Sequence, residues 1–248
     1  MRALLRLIGL ALLAALALQL YFVARIAVMA VLNPESTAFQ RSEVYQLAIH
    51  TGALKWRQQW VPYAAVSDNL KRAVIASEDA SFIEHDGVDM AALEKAWEKN
   101  AKAEQRAAQS ASRASTKPAA PNVKPPKIVG GSTITQQLAK NLFLSGERTL
   151  LRKGQELVLT VLLETLLSKQ RILEIYLNNV EWGEGVYGAE AAAQHYYRKP
   201  AAKLSAYEAA RLAVMLPRPK YFETRPNSGY LASRASTITA RMGGVELP

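Results

Sequence analysis

Residues 149–178 read TLLRKGQELVLTVLLETLLSKQRILEIYLN. Apolar side chains fall at 150, 151, 157, 158, 161, 162, 166, 172, 173, 176 and 177, close to helical spacing, and after Gly154 the stretch holds neither Gly nor Pro. That pattern predicts helix across the span, with Ser168 as a break within it. Downstream, 189–216 reads as two shorter helices, one ending near Tyr197 and one covering 205–216 before Pro217. Upstream, Asp68 is placed to cap a helix over 69–76 that has Leu70, Ala73 and Val74 on one face and delivers Glu78 and Asp79 to its C-terminal end. A short segment around 44–49 has extended character, and Trp56, Trp60, Val61, Pro62 and Tyr63 form an aromatic cluster suited to core or membrane-proximal packing. No internal repeat and no alternating strand pattern of consequence is present, so the expected class is mainly α.

Farther upstream, residues 7–24, LIGLALLAALALQLYFVA, run for 18 positions without a charge, between Arg2 and Arg6 on one side and Arg25 on the other. That is long enough to cross a bilayer, and longer than the ~7–15 apolar residues of a cleaved signal peptide. An uncleaved anchor is therefore expected over 1–32, with Arg2 and Arg6 in the cytoplasm and 33–248 outside as a single domain. Arg25, on the outer side, runs against that charge rule. With 248 residues, half of them hydrophobic, there is material for one core and little more. The absence of Cys excludes disulfides, thiolate metal sites and thiol nucleophiles. A net charge of +10 points to a polyanionic partner, and the anchor demotes nucleic acid in favour of membrane lipid or a phosphorylated substrate.

Between 94 and 128 lie eight Lys/Arg, three Glu, four prolines and nine alanines, with only Trp97, Val123 and Ile128 as large apolar residues. So little apolar surface cannot offset ordering entropy, and a helix fraying into a mobile basic insertion at about 100–128 is expected. Its plain reading is a tolerated insertion; the sharper ones are a flap over an anionic substrate and a patch contacting lipid headgroups.

Three constellations carry chemistry. In EDASFIEHDGVD, 78–89, acidic residues crowd around one His; such clusters are usually solvated turns, but Phe82 pulls the segment inward and places Glu78 in a cleft, where a carboxylate works as a base or acid. In GGSTITQQLAKN, 130–141, two glycines allow close backbone approach and the Ser/Thr run caps a helix whose free N–H groups favour an anion. By itself that turn is a weak signal. The third group is Lys140, Arg148, Arg152 and Lys153, with Glu156 close behind; on one helix Arg148, Arg152 and Glu156 share a face, either as a solvated surface or as a cradle for a diphosphate. No His/Asp spacing demands a metal, although a divalent cation, Mg²⁺ or Mn²⁺, is compatible with the inventory.

In this order EDASFIEHDGVD, GGSTITQQLAKNLF, RKGQE, RILEIYLNNVEWGEGVYGAEAAAQHYY and the LPRPKYF region resemble the successive motifs of glycosyltransferase family 51, the peptidoglycan glycosyltransferases that polymerise lipid II. The resemblance covers roughly residues 40–240, and with no room after Pro248 for a transpeptidase domain the chain is most similar to the monofunctional members of bacterial inner membranes. The 94–128 segment is longer than the family usually has. The resemblance implies a lysozyme-like helical fold facing the periplasm, lipid II and a growing glycan strand as substrates, and cell-wall elongation or division proteins as compatible partners. It makes Glu78 the general base, Lys140 and Arg148 the cations on the departing diphosphate, and Glu156 the second carboxylate of the cleft. Ser132, Thr135, Gln136, Gln137, Asn141, Arg152 and Lys153 are expected to line the cleft, and Asp79, Phe82, His85 and Gly87 to shape or contact it. A glycosidase needs two carboxylates because its alkoxide leaving group must be protonated. A diphosphate departs as a stable anion, so one base with several cations suffices, and attack by the 4-hydroxyl inverts an α-linked donor to a β-1,4 glycan. A lytic muramidase and a non-enzymatic, membrane-tethered wall-binding scaffold are the alternatives; intact cationic motifs argue against both.

Overall fold

A computed structural model describes residues 1–114, 131–144 and 149–248. Among them are eleven α-helices: α1 (Arg2–Val28), α2 (Ala38–Thr51), α3 (Asp68–Glu78), α4 (Met90–Ala114), α5 (Ile134–Phe143), α6 (Leu150–Leu166), α7 (Lys169–Asn179), α8 (Ala189–Tyr197), α9 (Ala206–Met215), α10 (Pro219–Glu223) and α11 (Gly229–Arg241). Three short strands, β1 (Arg57–Gln58), β2 (Glu181–Gly183) and β3 (Val186–Tyr187), form a small sheet in the order β1-β3-β2, with β1 parallel and β2 antiparallel to β3. The class is mainly α, as expected; strands of two or three residues show no alternation for a sequence to reveal.

α3 packs against α9 and α11, while α5 packs against α2, α6 and α7. Their shared core includes fully buried Leu70, Phe82, Leu138, Leu163, Tyr176 and Trp182. The break at Ser168 is real: α6 stops at Leu166 and the Ser168 hydroxyl caps α7 by accepting the Arg171 N–H at 3.2 Å. α3 starts one residue before the expected point, capped by Ser67 rather than Asp68; Asp68 instead pairs at 2.8 Å with the buried ammonium of Lys71.

Two expectations are corrected. The segment at 44–49 is not extended but lies inside α2. Thr37 and Gln40 form a reciprocal capping box and Gly52, with φ +67, ends the helix, so the start and stop signals override the local apolar run. Gln40 also donates to the Asn179 carbonyl at 3.0 Å, tying α2 to the end of α7. The 3.6-residue spacing of Leu231, Ala235 and Ile238 buries one face of α11, a helix the sequence reading passed over because its apolar residues are few and small. The segment expected as a mobile insertion is helical through Ala114, the end of α4; its remainder, 115–130, lies outside the described residues.

α1 is long and apolar enough to cross a membrane, with a mean hydropathy of 2.3 over its best window, only 6% of which is buried. So exposed a helix is no soluble core helix, and it is consistent with a membrane anchor. Its C-terminal part is nonetheless built into the domain. Phe22 and Ile26 are buried, Phe22 meets Phe143 edge-on at 5.3 Å, and Gln19 and Gln155 exchange two side-chain hydrogen bonds of 3.0 and 3.2 Å. Arg171 closes the end of α1 by donating to the Met29 and Leu32 carbonyls and to Asn33. α6 shows two apolar faces: Leu159 and Leu163 are in the core, while Leu150, Leu151, Leu157, Val158 and Val161 are exposed beside α1. Such a patch contiguous with an apolar helix is consistent with a surface that meets a membrane.

Candidate active site

Glu78 ends α3 and stands where two cavities meet. One, of about 560 Å³, is lined by Gln136, Gln137 and Lys140 of α5 and by Arg152, Lys153 and Glu156 of α6. The other, of about 720 Å³, runs over Asp79, His85 and Asp89 to Lys95 and Lys99 of α4. Ser77, Glu78 and Ser132 line both.

Burial pushes the Glu78 carboxyl above the ordinary carboxylate range, and the Asp79 charge adds to this, while hydrogen bonds from Gln137 (3.1 Å) and Ser77 (3.3 Å) hold it part of the way back. Gln137 is itself oriented: its carbonyl oxygen accepts from the Tyr176 hydroxyl at 2.9 Å, which leaves its NH₂ facing Glu78. Tyr176 is fully buried and its phenol is pushed well above 10, so it stays a donor. The sequence reading missed Tyr176; its place in a core-facing helical repeat looks like any buried aromatic.

Neighbouring Asp79 has the opposite fate. Its carboxylate is buried and accepts the Ile134 N–H at 3.0 Å, at the start of α5. His85 completes its shell. The His85 Nδ1 accepts the Gly87 N–H at 3.1 Å, so its Nε2 carries the hydrogen that is donated to Asp79 at 2.9 Å. Thr133 caps α5 in a box with Gln136 and donates to the Gly87 carbonyl at 2.6 Å. Gly87 has φ +85, and a Cβ there would meet Thr160 at 2.6 Å, so the turn requires glycine. The α5 N-terminus, expected as an anion cradle, is thus met by the protein's own Asp79. Truncating Asp79 to Ala strands a buried N–H and an imidazole donor, and is expected to destabilise the protein by about 2–4 kcal/mol. A thermal melt in detergent reads this, and an unchanged midpoint would refute the stitching role.

On the cationic side, Glu156 is buried and gripped by Arg152 at 3.0 Å and by Lys153. Arg152 Nε is buried with no acceptor among the described residues. Lys140 has no hydrogen-bond or ion-pair partner among them either. The cleft walls strip water from Lys140 and lower its pKa, with Arg152 and Lys153 adding to the effect and Glu156 opposing it. Arg148 lies outside the described residues; α6 begins after it, at Leu150, with Thr149 as its cap.

Of the remaining expected residues, Ser132, Gln136, Gln137, Arg152 and Lys153 line the cleft, whereas Phe82, Thr135 and Asn141 line neither cavity. Phe82 is core, beneath the Lys169 ammonium at 4.6 Å. Thr135 points backward and donates to Glu164 at 2.6 Å, which Lys169 also holds at 2.8 Å while reaching the His85 carbonyl. This Glu164–Lys169 pair braces the site from behind and carried no sequence signal, because it joins two helices.

Asp79, His85 and Asp89 bring ligand atoms within 4.8 Å of one another. They do not fit a metal as they stand. Asp79 and His85 are committed as described, and Asp89 accepts from Ser81 and from the Ala92 N–H.

A family model described as Transglycosylase matches residues 46–243. A protein named biosynthetic peptidoglycan transglycosylase from Burkholderia thailandensis is 56% identical over 233 residues, covering 94% of this chain and 83% of its own. Proteins of the same name from Burkholderia orbicola and Burkholderia multivorans are each 52% identical, with 94% of this chain and 86% of theirs covered.

Proposed function

Because the chain belongs to the transglycosylase family and is a peptidoglycan glycosyltransferase with a mainly α, lysozyme-like domain, we propose that it joins lipid II units at the junction marked by Glu78. The observation carrying this reading is the position of that one carboxylate between two cavities, with the α5 and α6 cations in one of them. The donor's diphosphate sits in the cationic cavity and the acceptor sugar in the other. Lys95 and Lys99, which line the acceptor cavity, face the diphosphate that the acceptor lipid itself carries.

Ionised Glu78 takes the proton from the acceptor 4-hydroxyl as its oxygen attacks C1 of the donor sugar. The bond from C1 to the diphosphate breaks, inversion gives a β-1,4 link, and the leaving lipid diphosphate takes the electron pair. Lys140 and Arg152 neutralise its growing charge in a partly dehydrated cleft, where such contacts are strong; Arg148, by family resemblance, joins them. Glu156 keeps Arg152 and Lys153 in place. Both of its oxygens are taken up by ion pairs, one with Arg152 and one with Lys153, which disfavours the muramidase reading.

With α1 as anchor, the short N-terminal side bearing Arg2 and Arg6 lies in the cytoplasm and the domain faces the periplasm of the inner membrane.

The test incubates the full chain with labelled lipid II in detergent, sizes the product and digests it with muramidase. Muramidase-sensitive polymer is expected, and its yield is expected to survive a chelator, since the cations of the cleft are side chains. Cleavage of finished glycan without polymer would overturn the assignment, and loss of polymer on chelation would bring a metal into the neutralisation step.

A further inference from the structure

Where α1 leaves its apolar span, a third cavity of about 640 Å³ shares no residue with the catalytic cleft. Tyr21, Ala24, Arg25, Val28 and Leu32 line one side of it. Tyr21, Ala24, Arg25 and Val28 recur at helical spacing and so form a single stripe along the end of α1, beside the face that Phe22 and Ile26 bury in the domain; buried Met29, from that face, closes the cavity floor. The other wall is the 33–36 loop and Arg41 from the first turns of α2. The pocket is held open by built contacts: Arg171 fixes the Met29 and Leu32 carbonyls and Asn33, and Arg41 donates to the Ser36 carbonyl and hydroxyl at 3.2 and 3.0 Å.

The 18 uncharged residues before Arg25 span about 27 Å as helix, close to the hydrocarbon thickness of a bilayer. Arg25 therefore lies at headgroup level, on the side that carries the domain, and Tyr21 lies about one turn deeper, at the edge of the hydrocarbon. The Arg25 guanidinium has no hydrogen-bond or ion-pair partner among the described residues, and Arg41 bonds only Ser36. Glu35 also lines the cavity and pairs with neither arginine. Two guanidiniums against one carboxylate leave one net positive charge, matched to a phosphodiester rather than to a diphosphate.

We propose that this cavity holds an anionic glycerophospholipid of that leaflet, its phosphodiester on Arg25 and Arg41 and an acyl chain running down Ala24 and Tyr21 toward the hydrocarbon. Guanidinium forks bind phosphate oxygens in pairs, and a tyrosine beside an apolar stripe suits the interface. Arg25, out of place for a charge rule that favours the cytoplasmic side, has a use here. The inference rests on α1 being a membrane anchor.

The full chain is reconstituted in vesicles of equal parts phosphatidylcholine and phosphatidylglycerol, floated, released in mild detergent and weighed by native mass spectrometry. Wild type is expected to retain phosphatidylglycerol over phosphatidylcholine by about tenfold or more, and Arg25→Gln with Arg41→Gln to abolish the preference. The double variant should still polymerise lipid II in detergent, which shows that it folds. Equal retention of the two lipids by wild type, or an undiminished preference in the double variant, would overturn the proposal. Displacement of phosphatidylglycerol by added polyprenyl phosphate would overturn the choice of a glycerophospholipid. A chain that fails to float with vesicles refutes the anchor instead, whereas one that floats without lipid preference refutes only this site.

Discussion

Glu78→Gln is expected to lower the rate of lipid II polymerisation by at least about a hundredfold, the usual cost of losing a general base. Size and hydrogen-bonding capacity are nearly kept, so the loss reports proton transfer rather than collapse of the Gln137–Tyr176 chain; an unchanged thermal midpoint would support that reading. The pH profile adds a second readout. Glu78 must be ionised to act, and burial has moved its pKa above 4.5. The acid limb of activity should therefore rise at higher pH than for a free carboxylate. Tyr176→Phe, which releases Gln137 from its fixed orientation, should shift that limb with a smaller loss of rate. A Glu78→Gln enzyme within a few-fold of wild type would remove Glu78 from the mechanism.

Lys140→Ala is expected to cost about a hundredfold or more, similar to removing one preorganised group from a developing anion. Charge on the leaving diphosphate grows toward the transition state, so kcat should fall further than KM rises. Lys140→Arg keeps the charge and should recover part of the rate. Desolvation has lowered the Lys140 pKa below 10.5, so activity should fall on the alkaline side earlier than a free lysine would dictate, as the ammonium loses its proton. If Lys140→Ala instead raised KM alone, Lys140 would bind ground state and transition state equally and would have no part in expelling the diphosphate.

The contrast between Glu78 and Asp79 shows where sequence reasoning stops. Both are carboxylates at the end of one helix, and the motif named both. Only the arrival of Ile134, 55 residues away, decides that Asp79 is spent on a backbone N–H and His85 while Glu78 is left facing the cleft. Thr135 and Gln136 are likewise adjacent in a motif, yet one turns back to Glu164 and the other lines the cationic cavity. The break at Ser168, the long apolar helix at the N-terminus and the helical core were legible because they depend on residues close together in the chain. The 44–49 segment was misread because its helix is decided at its two ends, by Thr37 with Gln40 and by Gly52.

By itself the sequence determined the helical class, a long apolar N-terminal helix, the order of the motifs and the residue types of their carboxylates and cations. Those are properties of local periodicity and composition. Tertiary structure alone decided that the end of α3, one face of α5 and the first turns of α6 converge on one cleft, with Tyr176 of α7 behind Gln137. It also decided which of several identical groups is free there. A side chain's burial, pKa and partners are set by helices distant in the chain, and that information exists only once they pack.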